Sequence, residues 1–413
     1  GAFRLTGEPP AGQLYCVAVA RLRFHTLSIL FHTSSGILLC PAVYFIEFCI
    51  IKTIVMRHTI LIITIMVLAL SCTRGAAPAV SIDRPVHEEL NSAYYWRTVL
   101  HLDSADRAFM SGHDIGRVYL RMFDVSKDAY AVTIENRAVP NASVRISDED
   151  YDLLRDSLGS LEFVPVVYIT LDALKAMKDY EGLLASNIVT RVRNMCQYNG
   201  LPNVGELQLD CDWTPATEYS FFKLCDSVRS HIDDLALPWR LSSTIRLHQL
   251  SRKVPPVDNG VLMVYNTGSF DDPDADNSII DIKDVEPYLT HLPSYPLHLD
   301  IAYPTYSWQL LFRNRQFAGL LNGVDLADSS RFSRRGPNLY VAKKDVPYND
   351  KIIRSGDMIR NETSDIDDVL KVKALVERQI QGRPHANILY HFDLNNLSKY
   401  STNEIDSIFA TGI

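Results

Sequence analysis

From Tyr94 onward, short runs of β-branched and aromatic residues alternate with stretches whose apolar residues recur every three or four positions. The runs predict strands at Tyr95–Leu102, Arg117–Phe123, Phe163–Ile169, Glu206–Cys211, Ser243–His248, Val261–Tyr265, Leu297–Ile301 and Ile388–Phe392. Several are apolar almost throughout, as parallel strands covered on both faces are. Helical patterns fall between them. Leu171–Lys178 and Ala185–Tyr198 follow the third run, and Glu218–His231 follows the fourth, with Phe221, Phe222, Leu224, Cys225 and Val228 on its apolar side. Asp284–His291 follows the sixth run and Ile366–Ile380 precedes the last. This alternation predicts an α/β fold with a parallel sheet. Eight strands in about 300 residues fit a single (β/α)8 barrel of the TIM type, whose usual length is ~250 residues plus insertions. No Gly-rich GxGxxG turn follows the first strand, which argues against a dinucleotide-binding open sheet. The polar stretch from Ser329 to Asp365 has no strong period and is expected to be an insertion between strands seven and eight. The barrel is expected over 93–397, with 398–413 as a C-terminal tail, and no internal repeat is visible.

The beginning of the chain has a different pattern. Met56-Arg57-His58 precedes an apolar run from Thr59 to Leu70, then Ser71-Cys72. A short positive start, an apolar middle of about a dozen residues and small residues at the cut describe a secretory signal peptide at 56–71. The run falls short of the ~20 residues that span a bilayer. With Cys72 directly after Leu68-Ala69-Leu70-Ser71, the segment resembles a bacterial lipoprotein signal, in which that cysteine carries the lipid. Ala69 stands where such signals usually have a larger apolar residue. Residues 72–92 then read as an anchor and tether, which places the domain on the cell envelope, facing the periplasm or the exterior. Residues 1–55 precede the signal and begin with Gly. They read either as a further membrane helix or as translated upstream sequence that the natural protein lacks, and the second is the expectation.

Composition narrows the function. Hydrophobic residues make up 47% and charged residues 22%, which excludes a disordered, collagen-like or coiled-coil chain. Acidic residues outnumber basic ones, 49 to 41, for a net charge of −8, so a nucleic-acid partner is not expected. Of the 7 cysteines, only Cys196, Cys211 and Cys225 lie beyond Cys72. An odd three is no disulfide framework. These thiols are expected to be small buried hydrophobes. No CxxC pair or His-rich cluster signals a metal, and no cofactor is expected.

A barrel collects its chemistry where the strands end, because the following loops converge there. By the predicted boundaries strand two exits through Arg121 and Asp124, strand three through Tyr168, and strand four through Asp210, Asp212 and Trp213. Strand five offers Arg246 and His248, strand six Tyr265 and Asn266, strand seven Asp300 and Tyr303, strand eight His391 and Asp393. Carboxylates handle protons and aromatic faces suit sugar rings, so a carbohydrate-facing cleft is the leading reading. Asp210 and Asp212 are two apart and project to the same side of an extended strand. Two close carboxylates raise one another's proton affinity, and one can stay protonated as a general acid. The plainer alternative is a helix cap and an Arg pair. Arg121 and Asp124 read equally as an ion pair that orients a loop, His248 as a rim histidine, and Trp308 as core or as a sugar platform.

Leu207-Gln208-Leu209-Asp210-Cys211-Asp212-Trp213-Thr214 resembles the strand-four signature DxxDxDxE of the family-18 glycosidases, the chitinases and their relatives. Met263-Val264-Tyr265-Asn266 is similar to their strand-six MxYD. The resemblance implies a (β/α)8 barrel. It also implies a mechanism in which the closing Glu protonates the leaving oxygen, while the Asp two residues earlier orients the substrate's acetamido group as internal nucleophile, outside the two-carboxylate scheme. By position Asp212 matches the orienting Asp and Asp210 the inner one. Thr214 stands where the acid should be, Leu207 replaces the first Asp and Asn266 the strand-six carboxylate. Over residues 93–397 the chain also resembles uncharacterised bacterial barrel proteins with an LxxDxD strand.

The expected function is therefore a glycosidase-like barrel acting on a carbohydrate. Asp210, Asp212 and Asp300 would do acid/base work, and Arg121, Asp124, Tyr168, Trp213, Tyr265, Asn266, Tyr303 and Asp393 would hold the substrate. The alternative is a membrane-anchored barrel that binds glycan without cleaving it.

Overall fold

The computed structural model describes residues 84–147, 150–151, 159–349 and 351–412, together with 15–20, 27–33, 36–38, Met56 and Thr59. Two units separate, residues 1–81 and 82–413. In the first, Tyr15–Ala20, Leu27–Thr33 and Gly36–Leu38 pair as a three-stranded antiparallel sheet. The apolar run of the expected signal peptide and Cys72 lie outside the described residues, Thr59 apart. Among the described residues no helix is long and apolar enough to cross a membrane.

In the second unit eight parallel strands close on themselves. They are β1 (Ser92–Tyr95), β2 (Arg117–Lys127), β3 (Glu162–Ile169), β4 (Glu206–Asp210), β5 (Arg240–Arg246), β6 (Asn259–Met263), β7 (Leu299–Pro304) and β8 (Asn387–Tyr390). Closure comes from β1, which pairs with β8 through Ser92 and Ile388 and with β2 through Ser92 and Arg117. The result is a (β/α)8 barrel. The first strand begins three residues before its predicted start and ends at Tyr95. The Tyr95 hydroxyl donates to the carbonyl of Val99 (2.9 Å), folding the following turn back, and Val99–Leu100 pairs instead with Arg145–Ile146. Helices α1 (Ser104–Gly112), α2 (Glu181–Asn199), α3 (Glu218–Asp234), α4 (Ile282–Leu289), α5 (Ile366–Ile380) and α6 (Thr402–Phe409) accompany the barrel. On α3, Phe221, Leu224, Cys225, Val228 and Ile232 recur at helical spacing and are all buried. Burying a large apolar side chain of this kind contributes roughly 1.5–3 kcal/mol.

Strand β4 has two chemically distinct sides. Leu207, Leu209 and Cys211 are buried on the side that alternation assigns to the helices. Glu206, Gln208 and Asp210 are buried on the other side, inside the barrel, and each meets a polar partner on β5. Glu206 accepts from the Arg240 guanidinium (2.9 Å) and the Ser242 hydroxyl (2.5 Å). Gln208 accepts from the Tyr94 hydroxyl (2.6 Å) and donates to Ser242 (3.3 Å). Asp210 accepts from Thr244 (2.6 Å). Buried polar groups persist only when paired in this way.

The floor of the barrel, where the strands begin, is closed by the segment before β1. Arg84 pairs with Asp233 and the Pro85 carbonyl accepts from Arg240 (3.0 Å). A Cβ at Gly205 would meet Pro85 Cγ at 3.1 Å, so the close approach of this strap favours glycine there. His87 reaches Asp300 (2.9 Å). Arg84, the Pro85 carbonyl and His87 thus tie this segment to the floor, where the sequence predicts the end of a tether.

Between β7 and α5 the chain builds a second, antiparallel sheet. In order across it lie Gln316–Leu321, Ser307–Arg313, Met358–Thr363, Leu339–Ala342 and Phe332–Arg334. Its own small core contains Leu311, Leu321, Phe332, Val346, Ile353 and Ile359. Arg360 is buried, donates to Glu362 (2.5 Å), and also donates to the carbonyls of Ser269, Phe270 and Asp272 in the loop after β6.

Residues 398–413, expected as a tail, carry α6. Ser401 and Glu404 form a capping box at its start, and Ile405, Ile408 and Phe409 are buried. The amide of Asn387 on β8 donates to the carbonyls of Phe409 (3.3 Å) and Ala410 (3.1 Å). This segment belongs to the barrel because its apolar face covers the last strand.

Glu206→Gln will lower stability at pH 7 by about 3 kcal/mol, measured by urea unfolding, because Arg240 stays buried without its nearer and fully buried charge partner, with only the more distant Glu162 (3.5 Å) left to it. Burial is the largest influence on Glu206 and disfavours its charge. The His87 imidazole, Arg240 and Ser242 outweigh burial and hold the carboxyl down at about 2, below its ordinary 4.5. Its contribution is therefore complete above pH 4.5 and is lost as pH falls toward 2. That part of the acid dependence will be missing from the variant.

Candidate functional site

A cavity of about 290 Å³ opens at the C-terminal end of the barrel, lined by Asp212, Arg246, His248, Met263, Tyr265, Asn266, Thr267 and Tyr288. Its floor is set by the strand register. Arg246 is the last residue of β5, and alternation brings it to the same inner side as Thr244, facing Asp210 and Asp212. The guanidinium donates through Nη2 to Asp210 (3.1 Å) and through Nε to Asp212. One cation thus holds both carboxylates. The same guanidinium lies 5.9 Å from the ring centroid of Tyr265 and within 3.5 Å of its hydroxyl.

The two carboxylates are unlike. Asp210 is 4% exposed. Burial, and after it the charge of Asp212, raises its proton affinity, while Arg246 and Thr244 act the other way, and the net direction is up. Asp212 presents nearly half of its side chain to solvent. Tyr168, half-buried at the end of β3, is pushed up to about 12 by burial and by the charges of Asp212 and Asp210, so its hydroxyl stays protonated near neutrality.

Aromatic rings form the adjoining wall. Tyr265 and Tyr390 stack with centroids 4.1 Å apart, and Tyr306 stands edge-on to both at 6.2 and 6.1 Å. Trp308 lies 5.5 Å from Tyr306, and Trp96 lies 6.0 Å from Tyr390. Trp96, Trp308 and Tyr390 are half-buried, so parts of their surfaces meet solvent. Arg121 sits over Trp96 at 5.4 Å and forms a two-pronged pair with Asp124 (2.8 and 2.5 Å), whose charge reaches Asp210. Asn266 adopts a left-handed backbone (φ 51°) and accepts from the Tyr306 hydroxyl.

Of the residues singled out in the sequence, Arg121, Asp124, Tyr168, Asp210, Asp212, Tyr265 and Asn266 gather at this end. Four others do not join them. Asp300 is the second residue of β7, so it lies at the floor, buried among His87, His298 and Arg117. The predicted strand ended three residues early, which had placed Asp300 near the exit. Tyr303 has the opposite parity to Asp300 and points outward, where its ionisation is opposed by burial and by Glu377 of α5. Trp213 is likewise odd in parity to Asp212. It is fully buried outside the barrel, with Phe221 and Phe222 of α3 at 6.2 and 5.4 Å. Asp393 caps the short helix Leu394–Leu397 and pairs with Arg97 (2.6 Å). Thr214 stands at the entry to α3, where its backbone amide donates to the Thr217 hydroxyl oxygen (2.9 Å).

Contributors that the sequence did not single out include Tyr306, Tyr390, Trp96 and Lys399. Tyr390 and Trp96 were legible only as aromatics at strand ends. Among the described residues, Lys399 has no carboxylate hydrogen-bond partner. Its ammonium donates to Tyr306 O, Ser307, Thr363 and Ser364 at 3.0–3.2 Å, pinning the start of the inserted sheet, and burial pushes it down to about 8.

No protein-family model and no curated protein matches the chain. Among solved structures it is similar to the spore cortex-lytic enzyme SleL of Bacillus cereus (13% identity, 79% of this chain and 76% of that one, TM-score 0.47). It is similar also to a chitinase of Chromobacterium violaceum (13%, 78% and 98%, 0.43). A third is a glycoside hydrolase family 18 N-acetylglucosaminidase of Paenibacillus barengoltzii (11%, 78% and 99%, 0.41).

Replacing Arg246 by Gln will raise the proton affinity of Asp210 further, because burial then acts without the opposing cation. A carbon-13 NMR titration of the aspartate carboxyls will show this as an upward move. The same variant will lose about 3–5 kcal/mol of stability, the usual cost of stranding one member of a buried pair.

Proposed function

We propose that the C-terminal cleft binds a carbohydrate and holds it without hydrolysis. The observation that carries this reading is the double grip of Arg246 on Asp210 and Asp212. An acid catalyst must hold a proton next to the substrate. Asp210 is buried and bonded to Arg246 and Thr244, and Asp212 is bonded to the same guanidinium. The position where the resemblance calls for a glutamic acid is Thr214, a residue of the helix entry. What the cleft offers instead is an aromatic wall beside fixed polar groups, a combination that suits the apolar face and the hydroxyls of a sugar ring. The three enzymes of similar architecture act on glycans or spore cortex according to their names, which agrees with a saccharide ligand.

Hydrolysis is the second reading, favoured by the raised proton affinity of Asp210 beside the exposed Asp212. A panel of soluble oligosaccharides separates the two. Binding by calorimetry with no new reducing ends supports recognition alone. Turnover that Asp212→Asn abolishes would establish hydrolysis and overturn it. Trp308→Ala will weaken binding about tenfold, or ~1.4 kcal/mol, if the aromatic wall carries the sugar. Absence of binding to every member of the panel would remove the saccharide reading.

The address follows from residues 56–72: we infer a lipid on Cys72 that ties the domain to a bacterial membrane. Cys72→Ser will then release the protein from the membrane fraction and eliminate incorporation of labelled fatty acid. Retention with unchanged labelling would refute the assignment.

A further inference from the structure

At the opposite end of the barrel from the cleft, Asp300 is fully buried and offers its two oxygens to two imidazoles. Nε2 of His87 lies 2.9 Å from Oδ2 and Nε2 of His298 lies 3.3 Å from Oδ1. The two rings are 4.8 Å apart at 66°. One ligand atom from each of the three residues falls within 4.8 Å of the other two. We propose that His87, His298 and Asp300 form a binding site for a divalent transition metal of the zinc class.

Two imidazoles and a carboxylate are a donor set that first-row metals favour, and three protein ligands leave a fourth position for water. His298 keeps 30% of its side chain exposed and gives an ion a way in. The neighbours are arranged as supports for such ligands. The Ala386 amide donates to Asp300 Oδ1 (2.8 Å), fixing the carboxylate. Glu206 Oε2 stands 3.8 Å from His87 Nδ1, on the side where a metal-bound imidazole commonly directs its other nitrogen to a carboxylate.

The charges around the site are compatible with such an ion. With both imidazoles neutral, Glu162, Glu206 and Asp300 outnumber Arg117 and Arg240 by one in this largely buried cluster. Arg117 comes only to 3.9 Å of Asp300 Oδ2, too far for a hydrogen bond. A metal ion between the imidazoles and Asp300 would balance this excess. A proton on His87 is the competing occupant. A metal there would fasten the strap before β1 to the start of β7, residues more than two hundred positions apart in sequence.

The full chain, stripped with chelator and dialysed, should be titrated with cobalt chloride and then zinc chloride at neutral pH. The expected result is one equivalent of cobalt bound at micromolar or tighter affinity, with the visible absorption of a four-coordinate cobalt ion that zinc then displaces. Zinc should also raise the unfolding temperature. His298→Ala, at a part-exposed position, should remove the cobalt signal, while His291→Ala, at an exposed histidine outside the cluster, should keep it. Failure of the unaltered chain to bind one equivalent would overturn the proposal and leave the proton as occupant, whatever the variants do. Undiminished binding in a folded His298→Ala would overturn it as well.

Discussion

Everything at the mouth of this barrel depends on a polar ladder between two neighbouring strands. Glu206, Gln208, Asp210 and Asp212 follow one another at every second position, and Arg240, Ser242, Thr244 and Arg246 answer them from β5. The rungs at Glu206, Gln208 and Asp210 satisfy buried groups that would otherwise cost several kcal/mol to keep from water. A one-residue slip of β4 would turn the whole set outward against the helices and bring Leu207 and Leu209 into the polar interior. The ladder therefore specifies register. It also determines chemistry, since its last rung is the Arg246 clamp on both carboxylates.

Much of the barrel was legible because its strands are short, apolar and separated by helical periods. The spacing of Phe221, Leu224, Cys225 and Val228 alone places α3, and Ile366–Ile380 coincides with α5. The site was less legible, for a definite reason. Inward and outward positions on a buried parallel strand are both hidden from water, so hydropathy does not separate Asp212 from Trp213 or Asp300 from Tyr303. Only the register does, and an error of three residues at the end of β7 moved Asp300 from floor to mouth. The first strand slipped for a local reason, the Tyr95 hydroxyl turning the chain back at Val99. Contacts such as His87 with Asp300 join distant parts of the chain and leave no periodic trace.

The two ends of the barrel divide the charged residues between them. At the floor Glu206, Arg240, Arg117, Glu162 and Asp300 interlock under the strap that precedes β1. At the mouth the arginines of the cleft are committed to aspartates, Arg121 to Asp124 and Arg246 to Asp210 and Asp212. The aromatic wall is left as the main uncommitted surface. That division is why a sugar-binding reading draws on stacking more than on charge.

Arg360 has a mechanical consequence. The segment from Asn266 to Asp281 contains no regular helix or strand, and a loop of that length would ordinarily sample many shapes. With one buried guanidinium gripping three of its carbonyls, the wall beside the cavity is immobilised when the chain folds. A guest then meets a rim already in its final form, so the ordering penalty falls on folding and not on recognition.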